Sequence, residues 1–86
     1  MKNKEIIANA AIQIGLLTSA EATERLEKDL EIPLHTINGW NLRGNYRVKQ
    51  GEEPVVEVKL WKRKDGKKGF YLAKAKLYTE NQIEEA

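Results

Sequence analysis

The chain has 86 residues, no cysteine and a formal net charge of +2. This length predicts one domain near the lower limit for an unaided hydrophobic core, and the lack of cysteine excludes disulfides and thiolate metal sites as further support. No run approaches the roughly 20 apolar residues that cross a bilayer, so we expect a cytoplasmic protein without a membrane partner.

The first 32 residues predict a helical hairpin that acts as a scaffold. Apolar residues recur at helical spacing over residues 4–14, and Gly15 follows where a left-handed glycine ends many helices. Thr18 and Glu21 form a capping-box sequence, which predicts a second helix that runs to about Leu30 with that residue directed inward.

A short third helix is predicted over residues 36–43. Thr36 is the expected N-cap, and Trp40 is expected among the buried contacts of the helix. His35 is the only histidine, and no cysteine, aspartate or second histidine lies beside it in the sequence. We therefore interpret His35 as a packing or capping residue rather than a metal ligand or a base.

Residues 54–79 predict a long β-hairpin. The stretches 55–61 and 71–77 are rich in alternating apolar residues, and Asp65-Gly66 between them is typical of a type I′ hairpin turn. A short strand at residues 45–49, joined to the hairpin by a turn, would complete a three-stranded antiparallel sheet.

The hairpin turn also predicts a register. With Asp65-Gly66 as the whole loop, Trp61 would face Phe70 and Lys64 would face Lys67. Glu57 would face Lys74 and form a cross-strand ion pair with it. The side chains expected on the core-directed face are Val56, Val58, Leu60, Tyr71, Ala73, Ala75 and Leu77. The opposite face would carry Lys59, Trp61, Arg63, Lys68, Phe70, Leu72, Lys74, Lys76 and Tyr78.

The C-terminal residues complete an α+β fold. Thr79 to Gln82 form a second capping-box pattern, which predicts a last helical turn through Glu85. We expect one domain, in which residues 1–32 form the helical hairpin. Residues 33–86 would form the short third helix, the three-stranded antiparallel sheet and the short C-terminal helical turn.

Charge is distributed unevenly along the chain. Residues 33–79 hold eleven basic and four acidic side chains, whereas residues 1–32 and 80–86 are both net acidic. A basic middle region predicts contact with a polyanion. Aromatic rings interleaved with cations on an open sheet face suit a single-stranded nucleic acid, because rings stack on bases while cations follow the phosphates.

The candidate nucleic-acid-binding residues are the cations and rings of this middle region. They are Arg43, Arg47, Lys49, Lys59, Trp61, Lys62, Arg63, Lys64, Lys67, Lys68, Phe70, Lys74, Lys76 and Tyr78. Alternatively, Trp61 and Phe70 lie beneath the N-terminal helices, or they anchor a protein partner or a second copy of the chain. The sequence has no glycine-rich phosphate loop, zinc helix or cysteine nucleophile, so we expect a non-catalytic protein without a metal or cofactor.

Four short blocks carry a resemblance to a known family. They are Pro33-Leu34-His35-Thr36 through Trp40, Val48-Lys49-Gln50-Gly51-Glu52, Leu60-Trp61-Lys62 and Leu77-Tyr78-Thr79-Glu80-Asn81-Gln82-Ile83-Glu84. Together they resemble small phage and mobile-element proteins of Gram-positive bacteria. Those proteins are similar to the N-terminal, single-stranded-DNA-binding domain of ArdC-type antirestriction proteins.

The resemblance implies a helix-plus-sheet fold, DNA binding without strong sequence preference, and a role in element transfer or in defence against host restriction. The positions that it touches are Trp40, Val48, Lys49, Gly51, Glu52, Trp61, Tyr78 and Gln82. Gln50 departs from the pattern, since it stands where the family usually has a second lysine. The zinc motif of the C-terminal domain of ArdC-type proteins is also missing, so the resemblance implies no protease activity.

Overall fold

The computed structural model describes residues 1–66 and 68–86 and has the predicted α+β architecture. The helices are α1 (Asn3–Gln13), α2 (Ser19–Glu27) and α3 (Ile37–Asn41). The strands are β1 (Leu34–His35), β2 (Tyr46–Val48), β3 (Val56–Arg63), β4 (Phe70–Thr79) and β5 (Ile83–Glu85), and a 3-10 turn covers Glu80–Gln82. The helical hairpin, the short third helix, the three-stranded antiparallel sheet and the C-terminal helical turn are confirmed.

Local sequence signals set the ends of the first two helices. Gly15 has a φ of 76° just beyond α1, and the Thr18 hydroxyl accepts a hydrogen bond from the Glu21 backbone N–H at 3.1 Å. The Glu21 carboxylate in turn accepts from the Thr18 N–H at 2.9 Å, which completes the capping box. The predicted end of α2 is wrong, because Asp29 adopts a left-handed φ of 54° and leaves Leu30 exposed.

The hydrophobic core lies between the helical hairpin and one face of the β3–β4 hairpin. Small buried residues such as Ala8, Ala11 and Ala22 let the helices approach closely, while Leu34 and Leu77 are fully buried. The predicted core-directed residues of the hairpin are buried or half-buried: Val56, Val58, Leu60, Ala73, Ala75 and Leu77. Tyr71 is exposed, because it lies near the hairpin tip, beyond the region that the core covers.

The third strand of the main sheet differs from the prediction. The strand order is β1-β4-β3, and β1 pairs with β4 through Leu34 opposite Thr79 and His35 opposite Tyr78. The predicted strand at residues 45–49 instead forms β2, which pairs with β5 in a separate two-stranded sheet. The 3-10 turn after β4 redirects the chain so that buried Ile83 lies opposite Val48, and the last helical turn is therefore shorter than predicted.

The hairpin register is shifted by two residues from the prediction. Trp61 lies opposite Leu72, and the ladder closes at Arg63 opposite Phe70. The loop is wider than Asp65-Gly66, because the Lys64 N–H donates a hydrogen bond to the Gly69 carbonyl. Gly69 has a φ of 103°, a backbone conformation that favours glycine. Since the shift is an even number of residues, the strand residues keep their predicted faces. Lys68, predicted on the face opposite the core, instead precedes β4 and lies in the loop. Lys67 and its predicted pairing lie outside the described residues.

Candidate nucleic-acid interface

The face of the β3–β4 hairpin that points away from the core is exposed to solvent. We call it the open face and define it by Glu57, Lys59, Trp61, Arg63, Phe70, Leu72, Lys74, Lys76 and Tyr78. The exposed fractions of Trp61, Leu72 and Phe70 are 41%, 46% and 60%. The N-terminal helices therefore pack on the other face and leave these rings accessible.

Two lysines lie directly opposite each other in the middle of the open face. Lys59 and Lys74 are register partners on adjacent strands, and both are exposed. Like charges in directly opposed positions destabilise a sheet. No ion pair among the described residues includes either lysine. The pair thus leaves two positive charges next to the Trp61–Leu72 pair, available to a ligand of opposite charge.

The N-terminal segment holds Trp61 in place from the side of the sheet. The Trp61 indole Nε1–H donates to the Met1 carbonyl at 2.9 Å. The Trp61 backbone N–H donates to Asn3 Oδ1 at 2.7 Å, and Asn3 Nδ2 donates to the Trp61 carbonyl at 3.0 Å. One edge of the indole is therefore fixed, while the ring remains partly exposed.

A groove of about 540 Å³ covers part of the open face, and Lys59 is not among its lining residues. It is lined on the sheet by Glu57, Trp61, Lys74, Lys76 and Tyr78 and at its borders by Asn3, Thr36, Ile37 and Asn38, among others. The Tyr78 carbonyl accepts a hydrogen bond at 2.9 Å from Nε1–H of the buried Trp40. The Thr36 hydroxyl caps α3 by accepting a hydrogen bond from the Gly39 N–H. One hydrogen bond therefore fixes the start of α3 and another joins α3 to β4 beside Tyr78.

Further cations surround the hairpin tip. Lys64 and Lys68 belong to the exposed loop, and Arg63 ends β3 on the open face. Lys62 belongs by strand alternation to the opposite face, across from Tyr71, but it is exposed and also lines the groove over the open face. Positive charge is therefore concentrated around the tip rather than confined to one side of it.

Three candidate residues, Arg43, Arg47 and Lys49, lie outside the β3–β4 hairpin. Arg43 forms an ion pair with Glu31, and Arg47 donates two hydrogen bonds to Glu84 across the β2–β5 pair, at 2.8 and 3.0 Å. Lys49 follows β2, where its backbone N–H donates to the Gln82 carbonyl. The structure thus separates these three cations from the hairpin, and the two arginines already have acidic partners.

Gln82 connects two of the sequence blocks that carry the family resemblance. Its side-chain oxygen accepts from the Thr79 N–H at 3.0 Å, while its side-chain N–H groups donate to the Glu53 carbonyl and to a Glu52 carboxylate oxygen. The turn after β2 and the turn after β4 therefore contact each other directly. Glu52 and Gln82, which both belong to these sequence blocks, therefore support the fold.

His35 lies in a hollow of about 370 Å³ on a different part of the surface, near Lys4 and Asp29. The ring is buried and packs edge-on against Trp40 with a centroid separation of 4.8 Å, and its Nε2 has no hydrogen-bond partner among the described residues. Burial lowers the pKa of His35, and the nearby Arg43 lowers it further, whereas Glu31 acts in the opposite direction. His35 therefore packs, as predicted from the sequence.

Sequence reasoning did not find the residues that support the open face. Asn3 and Trp61 are 58 positions apart in the sequence, and no local sequence pattern predicts a contact over that separation. Asn38 borders the groove only because α3 follows β1 at the edge of the sheet. The predicted cross-strand ion pair between Glu57 and Lys74 is wrong, because the shifted register places Glu57 opposite Lys76, and Glu57 forms no ion pair among the described residues.

No protein-family model matches the chain, and neither a curated protein nor a solved structure matches it. In residues 1–66 and 68–86, no helix combines the length and the apolar composition that a bilayer crossing requires. Within the same residues, no cluster of three or more histidine, aspartate or glutamate side chains is arranged to hold a metal ion.

Proposed function

We propose that this protein is a non-catalytic, cytoplasmic module of a phage or mobile element that binds single-stranded DNA through its open face with little sequence preference. The observation that carries the proposal is the Lys59–Lys74 pair beside the exposed Trp61. Two directly opposed lysines cost stability in the free protein, and phosphate groups would remove that cost on binding.

The dimensions of the open face suit an extended strand. From Arg63 to Val55, β3 and the residue before it advance by eight steps of ~3.3 Å, or about 26 Å. Trp61 and Phe70 offer stacking surfaces toward the hairpin tip, and Tyr78 lies toward the other end. Lys59, Lys74 and Lys76 lie between these rings. We therefore expect bases to stack at both ends while phosphates lie over the lysines.

The resemblance to the N-terminal domain of ArdC-type antirestriction proteins suggests the same ligand. Trp61 and Tyr78, two of the positions that the resemblance touches, both lie on the open face. Lys49 and Gln82, two others, lie at the β2–β5 sheet and its adjoining turn. A role in element transfer or in defence against restriction stays a prediction of that resemblance.

The proposal can be tested by fluorescence anisotropy with labelled single-stranded and duplex DNA over a range of salt concentrations. We expect preferential binding of the single strand, with affinity that falls by a slope of roughly −0.7 for each phosphate neutralised. Lys74→Gln should reduce the magnitude of that slope by about 0.7. Lys49→Gln removes the same charge away from the open face and should leave the slope unchanged.

Two results would overturn the proposal. One is the absence of binding at low salt in the tens-of-micromolar range, where even nonspecific complexes form. The other is an equal loss of affinity in Lys49→Gln and Lys74→Gln, because binding would then depend on total charge rather than on the open face.

Leu72 favours a second candidate function, a protein-interaction module. This aliphatic side chain is 46% exposed and lies directly opposite Trp61. An exposed aliphatic and aromatic cluster is typical of protein interfaces. The partner would be a host factor or a second copy of the chain, and sedimentation velocity would detect self-association.

A further inference from the structure

Glu57 is the one carboxylate among the residues that define the open face. It is exposed, lies opposite Lys76 and is one row away from the Lys59–Lys74 pair. Despite these cations, Glu57 takes part in no ion pair among the described residues. On a surface that binds phosphates, the negative charge of Glu57 weakens binding through repulsion, unless the carboxylate contacts another part of the ligand.

The groove provides that other contact. Glu57 lines it together with Tyr78, Asn38 and two lysines of β4, its register partner Lys76 and Lys74 of the next row. A base that stacks on Tyr78 would bring its polar edge toward the floor of the groove, while its phosphates remain over Lys74 and Lys76. The carboxylate is then positioned to meet a base edge rather than a phosphate.

A carboxylate distinguishes bases by what their edges present. It accepts a hydrogen bond from an exocyclic amino group, as on C4 of cytosine. Uracil and thymine carry a carbonyl oxygen at that position, which repels a carboxylate. Their N3–H can donate, but it is flanked by the carbonyl oxygens on C2 and C4, so a carboxylate that approaches it meets repulsion from both sides. The contact therefore favours an amino-bearing base and disfavours uracil or thymine.

We infer that Glu57 is a specificity-determining residue that selects, at one nucleotide position in the groove, an amino-bearing base such as cytosine over uracil or thymine. This inference rests on the proposed function and adds to it a preference at a single position. The stacking and phosphate contacts elsewhere on the open face remain tolerant of sequence.

The test compares deoxycytidine and deoxyuridine oligonucleotides of equal length in mildly alkaline, low-salt buffer, with binding followed by anisotropy. The two strands carry the same phosphate charge and differ in the hydrogen-bonding edge of the base. We expect the protein to bind the cytosine strand about fivefold more tightly, which is at the low end of discrimination by a good base contact because Glu57 is exposed.

Glu57→Gln should reduce this ratio to about one, because an amide can donate to uracil as well as accept from cytosine. The same change should raise the affinity for the uracil strand, since it removes a negative charge from the groove. Glu27→Gln is the matched control, because it removes an exposed carboxylate from α2 and should leave the ratio unchanged. Circular dichroism would verify that both variants fold.

The outcomes separate this inference from the proposed function. Equal binding of the two strands, or a cytosine preference that persists in Glu57→Gln, overturns the inference while single-stranded DNA binding stands. Failure to bind either strand at low salt overturns the proposed function, and the inference with it.

Discussion

The side-chain amide of Asn3 hydrogen-bonds both backbone polar groups of Trp61. Its Oδ1 accepts from the Trp61 N–H at 2.7 Å, and its Nδ2 donates to the Trp61 carbonyl at 3.0 Å. Because β3 is an edge strand, Asn3 occupies the place that a neighbouring strand would otherwise take. One residue of α1 therefore protects the sheet edge and also supports the residue at the centre of the candidate interface.

Asn3→Ala should destabilise the protein and expose this edge. We expect the free energy of unfolding in urea to fall by about 1–2 kcal/mol, because two hydrogen bonds are lost. Self-association, followed by sedimentation velocity, should increase because the unprotected edge can pair with another chain. Gln13→Ala, at the exposed end of α1, should change neither quantity. A variant with wild-type stability and sedimentation would contradict the structural role of Asn3.

Trp61→Ala should weaken binding to single-stranded DNA by roughly 1–3 kcal/mol, the usual contribution of one stacked base. Trp61→Phe loses the hydrogen bond from Nε1–H to the Met1 carbonyl but keeps a ring that can stack. Because the ring is kept, this variant should retain most of the affinity. Anisotropy titrations of both variants separate the loss of stacking from the loss of the N-terminal contact.

Leu72→Ala distinguishes the two candidate functions of the open face. An aliphatic side chain contributes little to base stacking or charge neutralisation, so we expect near wild-type DNA affinity in this variant. If Leu72→Ala instead abolishes self-association or partner binding while Trp61→Ala leaves DNA affinity intact, the protein-interaction function is favoured.

Gln82→Ala should lower the stability of the fold. Gln82 is buried, and its removal leaves the Thr79 N–H and the Glu53 carbonyl without their partner. Unpaired backbone groups of this kind cost about 1–3 kcal/mol, which a shift in the urea midpoint would show. Asn81→Ala, one exposed position earlier, is the control and should have little effect. Comparable losses in the two variants would contradict a specific role for Gln82.

His35 should make stability depend on pH. Burial, assisted by Arg43 and opposed by Glu31, lowers the pKa of His35 below its ordinary value of 6.5. At pH values between the pKa of His35 in the folded protein and its pKa in the unfolded chain, the unfolded chain binds more protons than the folded protein. The free energy of unfolding therefore rises as the pH increases through this window. Urea unfolding at a series of pH values below and above 6.5 measures this slope.

His35→Phe removes the titrating group and keeps a ring against Trp40, so the slope in this window should become smaller. A variant that retains the full wild-type slope would show that another group is responsible. Carboxylates titrate at lower pH, which keeps the two contributions apart.

The local features of this protein follow from short-range patterns in its sequence. Capping residues Thr18 and Thr36 and the terminating Gly15 placed the helices, because each acts on backbone groups within a few positions. The predominantly alternating pattern of β3 and β4 likewise predicted the two faces of the hairpin. This assignment of the strand residues survived a register shift of two residues, because side-chain direction repeats every second residue.

The contacts between distant segments, in contrast, are visible only in the folded domain. The pairing of β1 with β4 and of β2 with β5 depends on how the chain is redirected after β4, since backbone hydrogen bonds between strands carry little sequence information. The same holds for Asn3 at the edge beside Trp61 and for the separation of Arg43 and Arg47 from the open face. These contacts depend on close packing of the whole domain, which no local pattern encodes.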